Sequence, residues 1–155
     1  MSQKDLLNAH LKTFGAKVGV DDLALDDENF CGIVFGEEEE EIQINIEVIE
    51  EESMICFHTT LLELPKANRE GIYRQLLSAH LFGLETNGAF FGINSETDDV
   101  LLCYTWVLEN MEYQDFEKIL ENLFSSAEYW RNEIKGIINK IELSAISTPI
   151  GAIKV

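Results

Sequence analysis

Ile42-Gln43-Ile44-Asn45-Ile46-Glu47-Val48 alternates apolar and polar residues without a break. In an extended chain successive side chains point to opposite faces, so this stretch reads as a strand with one buried and one solvated face. An acidic cluster bounds it on each side, Glu37 to Glu41 before it and Glu50-Glu51-Glu52-Ser53 after it. Solvated turns carry such charge at little cost, so both clusters read as hairpin tips. Beyond the tips lie two further apolar runs, Phe30 to Phe35 and Met54 to Leu62. Strands this close in sequence are expected to pair antiparallel, as a three-stranded meander. Leu23 and Leu25 also alternate and are expected to be β structure, ahead of a turn at Asp26-Asp27-Glu28-Asn29.

Helical patterns flank the meander. Leu7, Leu11, Phe14 and Val18 follow a three-to-four spacing, with Ser2 placed to cap the helix and Gly15 and Gly19 to end it. Pro65 opens a second helix that is expected to run to Phe82. Ala89 to Ile93 and Val100 to Leu108 read as a second hairpin around Ser95 to Asp99. From Tyr113 to Ile141 one apolar stripe recurs through Phe116, Leu120, Leu123, Ala127, Trp130, Ile134 and Ile137, predicting a long amphipathic helix. The order is α-β-β-β-α-β-β-α, an α+β fold in which helices pack on a twisted antiparallel sheet. The domain is expected over residues 1–143, with 144–155 as a short tail holding Pro149 and Gly151.

Charge narrows the function. Asp and Glu total 29 against 11 Lys and Arg, a formal net charge of -18. Such a surface repels phosphate backbones and anionic lipid and favours basic partners, which argues against nucleic-acid and membrane-surface binding. The 46% hydrophobic content argues against disorder in spite of that charge. No stretch approaches the length of a spanning helix, so membrane insertion is not expected. Cys31, Cys56 and Cys103 are odd in number, widely spaced and set in apolar runs, as buried thiols of a reducing compartment would be. Met1 to Ala16 lacks the apolar centre of a signal peptide, and the cytoplasm is the expected location.

The search for chemistry returns little. Phosphate-binding glycine loops, zinc-protease and serine-hydrolase motifs are all missing from the sequence. His10, His58 and His80 lie on separate elements, each without a second ligand at metal spacing, so neither a metal nor a cofactor is expected. Five consecutive Glu from Glu37 to Glu41 lack the alternating ligands and glycine of a calcium loop. Glu96, Asp98 and Asp99 read as a turn, since paired carboxylates do acid–base work only in a cleft that separates their pKa values. Cys103 has no nearby cation to activate it. What stands out instead is surplus apolar surface. The second helix carries Ile72, Tyr73, Leu76, Leu77, Ala79, Leu81 and Phe82, more than one stripe, and Tyr104 and Trp106 alternate with Cys103 and Thr105. Both features suit either a larger core or a subunit contact.

The run Leu23-x-Leu25-Asp26-Asp27-Glu28-Asn29-x-Cys31-Gly32-Ile33-x-Phe35 resembles the opening of the class I type III secretion chaperones, the Tir chaperone family. Leu61-Leu62-Glu63-Leu64-Pro65, Leu76-Leu77-Ser78-Ala79-His80, Asn87-Gly88-Ala89-Phe90-Phe91-Gly92-Ile93 and Val100-Leu101-Leu102-Cys103 continue the resemblance in order, and Phe116 to Trp130 closes it. His80 stands where the family usually has Asn, and Asn87 where Gly is common. The resemblance implies a bacterial cytoplasmic homodimer that holds the N-terminal segment of secreted effectors extended and soluble, with the secretion ATPase as a further partner. On that basis Ile72, Leu76, Leu77 and Trp106 are dimer candidates, and Leu7, Leu11, Phe14, Phe35, Ile44 and Ile46 are candidates for effector grooves. Two other readings compete with it: an adaptor or sensor of the same fold that binds a non-secreted protein, and a small enzyme using the turn carboxylates.

Overall fold

The computed structural model of the chain describes residues 2–147. Three α-helices, α1 (Gln3–Val18), α2 (Arg69–Ala79) and α3 (Tyr113–Ser147), accompany five strands, β1 (Phe30–Phe35), β2 (Ile42–Ile49), β3 (Met54–Glu63), β4 (Phe90–Asn94) and β5 (Asp99–Val107). The order is the expected α-β-β-β-α-β-β-α. All neighbours in the single sheet are antiparallel, in the order β1-β2-β3-β5-β4.

The alternation of β2 sets the register. Ile42, Ile44 and Ile46 face Phe35, Ile33 and Cys31 on β1, and Ile46 faces Phe57 on β3. These residues line the face that α1 and α3 cover. Phe116 of α3 bridges Phe57 and Phe14, with ring centroids 6.0 Å and 6.2 Å apart, and Trp130 meets Phe91 edge-on at 5.1 Å. A buried aromatic pair of this geometry contributes roughly 0.5–1.5 kcal/mol beyond its area.

Local chemistry explains the boundaries. Ser2 and Asp5 form a reciprocal capping box at the start of α1, and Gly19, at φ 77°, ends it. Gly15 does not end the helix. It lies buried within α1, where an added Cβ would come 2.5 Å from the Val20 carbonyl oxygen. A bulge between Thr60 and Leu62 frees carbonyls that Arg131 of α3 collects. Its guanidinium donates to the carbonyls of Leu61 (3.0 Å), Thr60 (3.2 Å) and Glu41 (2.9 Å), pinning the long helix to two strand ends.

Four further expectations need correction. Leu23 to Leu25 is not a strand: the Leu25 N–H donates to the Asn8 side chain of α1, and the Asp26 carboxylate accepts from the N–H groups of Glu28 and Phe30. Side-chain acceptors thus replace the ladder. α2 starts at Arg69, four residues after Pro65, because Asn68 adopts a left-handed conformation (φ 61°). The same helix stops at Ala79, and Phe82, at φ 59°, turns the chain out of any helical stripe. α3 runs on to Ser147, so residues 144–147 of the expected tail are helical, while 148–155 lie outside the described residues.

Candidate functional site

Five of the six groove candidates are core. Leu7, Leu11, Ile44 and Ile46 are fully buried and Phe14 nearly so, all within one protomer. Phe35 alone reaches the surface, packed between Phe14 and Phe124. Ile72 and Leu76 of the dimer set are buried as well, at 1% and 4% exposure, and face their own core rather than a neighbour. Leu77 is 70% exposed. Trp106 is half-buried and stacks on Tyr104 at 6.4 Å. A three-to-four or two-residue period selects one face of an element, but cannot say whether that face meets the core or a groove.

The apolar surface left open lies elsewhere. Leu77, Leu81, Phe82 and Leu84 are 62–86% exposed and follow one another from the end of α2. Isolated exposed leucines are ordinary, but four large apolar side chains exposed within eight residues, with Phe82 held in a left-handed conformation, are candidates for a contact surface. The signal for it was present as the surplus apolar residues after Leu76; what misled was reading Leu81 and Phe82 as helical.

Three stretches of strand edge lack a paired strand among the described residues: β1 and β4, the two outer strands of the sheet, and β5 where it runs past β4. β1 has β2 on one side only, along its whole length, with Val34 54% exposed. β5 extends past the end of β4, so Tyr104 to Val107 pairs with β3 on one side only, and the segment Thr86 to Ala89 lies by its other side, with Gly88 close to the Tyr104 ring. At that edge a cavity of about 210 Å³ opens between Tyr104, Trp106 and the α3 residues Ile119 and Leu123. An unpaired edge presents a row of donors and acceptors to any extended chain.

The ionisable groups have structural employment. Asp98 accepts a two-pronged bond from Arg69 at 2.9 Å on both arms, which holds its carboxyl below the usual range. Thr97 donates to Asp99 at 2.6 Å, so the Glu96–Asp99 turn is a closed hydrogen-bonded corner. Lys17 on α1 pairs with Glu117 on α3 at 2.7 Å, lowering the Glu117 pKa and raising that of Lys17. Burial pushes the Cys31 and Cys56 thiols up, and the Cys103 thiol, beside Cys56, up to about 12. Raised thiol pKa values disfavour the thiolate, which is the reactive form. Of the three, Cys31 is buried as expected, while Cys56 and Cys103 are only partly so. His10 bonds the Met111 carbonyl, His58 bonds Glu47, and His80 packs against Phe90 and Phe91. Among the described residues no group of three or more His, Cys, Asp or Glu side chains is arranged to hold a metal ion, and no helix is long and apolar enough to cross a membrane.

Open strand edges, exposed apolar side chains after α2 and an acidic surface characterise this α+β fold. The sequence profile of the Tir chaperone protein (CesT) family matches residues 9–131, and the chain belongs to that family. The transcriptional anti-antiactivator ExsC of Pseudomonas aeruginosa is 26% identical over 129 residues, covering 81% of this chain and 83% of ExsC. The fold is also that of a solved ExsC–ExsE complex (TM-score 0.73, 24% identity, 85% of this chain and 96% of the other). The HopA1–SchA chaperone–effector complex shares it too (TM-score 0.67, 13% identity, 82% and 94%). So does the ExoU–SpcU complex of the type III secretion system of P. aeruginosa (TM-score 0.57, 14% identity, 84% and 96%). The family and fold are those of binding proteins.

Proposed function

We propose that this protein is a non-catalytic cytoplasmic chaperone of bacterial type III secretion. It holds the N-terminal segment of one or more effectors extended and soluble, ready for the secretion ATPase. The observation that carries the reading is the open edge of β1, Phe30 to Phe35, in a chain of the Tir chaperone family. An extended segment adds to such an edge through main-chain bonds and is selected by the side chains beside it, here Val34 and the surface-reaching Phe35. Ordering a flexible client costs conformational entropy, so a broad apolar contact must accompany the main-chain bonds. The net charge of -18 favours a client segment rich in Lys and Arg.

The same reading includes a homodimer. Leu77 and the half-buried Trp106 stay in the proposed interface, joined by Leu81, Phe82 and Leu84, while Ile72 and Leu76 leave it because they are buried in the protomer. A tagged pull-down from the native host, with mass spectrometry of what is retained, tests the client. Recovery of a secreted protein held through its N-terminal region supports the proposal; a chain that retains no protein partner removes it.

A second reading has a specific observation behind it. The relative at 26% identity is named a transcriptional anti-antiactivator, which favours an adaptor whose partner includes a non-secreted regulator. Fractionation separates the two: an effector chaperone's client accumulates in the culture medium when secretion is induced, and a regulator stays in the cell.

A further inference from the structure

α2 and α3 are tied together at two points and leave a cleft between them. At one tie Ile141 fills the space that a side chain on Gly71 would need: an added Cβ would come 2.9 Å from Ile141 Cδ1. At the other, past the end of α2, the Trp130 ring N–H donates to the Glu85 carbonyl at 3.1 Å. Trp130 and Ile141 are about 16 Å apart along the axis of α3, at roughly 1.5 Å per residue. The cleft between the ties has a volume of about 430 Å³, and Ala79, Trp130, Ile137 and Ile141 form its apolar floor. Its charges are sorted by sign. Glu85 and Glu133 stand at the Trp130 end, and Arg74 and Lys140 at the Gly71 end. All four are exposed, and among the described residues none of their side chains takes part in a hydrogen bond or an ion pair. The nearby Arg69 and Arg131 are engaged instead, with Asp98 and with strand carbonyls. Glu133, Ile137, Lys140 and Ile141 lie past residue 131, where the family match ends.

We infer that this cleft is a docking site for an amphipathic helix of a partner protein, about three turns long. The apolar stripe of that helix meets Ile137 and Trp130. A Lys or Arg at one end of the stripe pairs with Glu85 and Glu133, and an Asp or Glu two turns along pairs with Arg74 and Lys140. The apolar floor requires the stripe, and the segregated, unpaired charges select a helix whose two ends differ in sign. An extended strand is not the occupant, because both walls are helices whose main-chain groups are already bonded internally. The site uses neither the open sheet edges nor the ridge at Leu77 to Leu84. It is therefore independent of the chaperone reading, and either can fail alone.

The probe is a fluorescein-labelled, helix-stapled peptide of about fourteen residues, roughly 21 Å of helix. It carries leucines at three-to-four spacing, lysines in its first turn and glutamates in its third. It is titrated into the isotope-labelled full chain while backbone amide signals are followed by NMR. Binding is expected to shift the signals of Gly71 to Ala79 and of Tyr129 to Ile141, and to leave those of β1 unmoved. Gln75→Trp, at an exposed α2 position lining the cleft, takes the seat of one apolar side chain and weakens affinity about tenfold. Replacing the peptide's charges by glutamine weakens it about fivefold, since each exposed ion pair contributes little. Glu133→Lys lowers affinity for this peptide and raises it for one with glutamate at both ends, a reversal that a merely structural role would not produce. Shifts confined to the sheet edges or to the Leu77–Leu84 ridge overturn the inference, as does indifference to Q75W and E133K. So does tighter binding once residues 148–155 are removed, since the chain's own end is then the occupant. Shifts of the cleft signals in the free chain that grow with protein concentration overturn it as well, since a second copy then fills the cleft.

Discussion

Leu76 and Leu77 are adjacent in sequence and opposite in fate. Leu76 is 4% exposed against the core formed with α3; Leu77 is 70% exposed and begins the apolar ridge that continues through Leu81, Phe82 and Leu84. Both carry the same side chain, so the difference lies only in which way the helix turns each of them. Leu76 stabilises the protomer, and Leu77 is available to stabilise an assembly. The comparison separates what this chain needs in order to fold from what it leaves open to bind.

The largest expected effect comes from placing a charge at each position. Leu76→Asp buries an unpaired carboxylate and removes core volume, a loss of about 3–5 kcal/mol, enough to leave a marginal domain unfolded or insoluble. Leu77→Asp is expected to keep the melting temperature of the protomer and to lower the molecular mass in light scattering from dimer to monomer. A soluble, folded L76D monomer would show that the two residues have been assigned the wrong way round. A smaller loss is expected from Arg131→Met, which keeps the aliphatic stem and abandons the carbonyls of Leu61, Thr60 and Glu41. Denaturant titration should read about 1–3 kcal/mol, since Arg131 ties the long helix to the sheet. The smallest effect belongs to Asp98. Its pKa in the folded chain is held below the ordinary 3.8, chiefly by the Arg69 hydrogen bonds. Its contribution is therefore present above that ordinary value and disappears as pH falls through the folded one. Asp98→Asn should lower the melting temperature slightly at neutral pH, with the gap to wild type closing in acid below the ordinary carboxylate range. A gap that widens in acid would contradict the assignment.

Much of the fold was legible because β2 alternates without interruption and α3 holds one stripe over many turns. Both patterns are strong enough to survive any tertiary context. The sequence did not disclose that β5, rather than β4, lies beside β3, because either hairpin order buries the same residues. Leu23 to Leu25 misread for a different reason: alternation reports which side chains are buried, and Leu25 is buried, but its N–H goes to Asn8 rather than to a strand. The binding surface was the least legible part. Leu7, Leu11, Ile44 and Ile46 have the strongest apolar periodicity, and for that reason they are core. The exposed ridge runs from Leu77 near the end of α2 into the stretch where periodicity fails, as Phe82 takes a left-handed conformation.

The central claim is that this chain works by holding an extended segment of another protein along its open sheet edge. Capturing the native client and mapping amide protection on the complex tests it most directly. The account predicts a secreted protein bound through its N-terminal region, with new protection of β1 at Phe30 to Phe35 and an undisturbed pattern across the buried β2 and β3. A captured partner that protects no open strand edge, or a chain that captures nothing and turns over a small molecule instead, would contradict it.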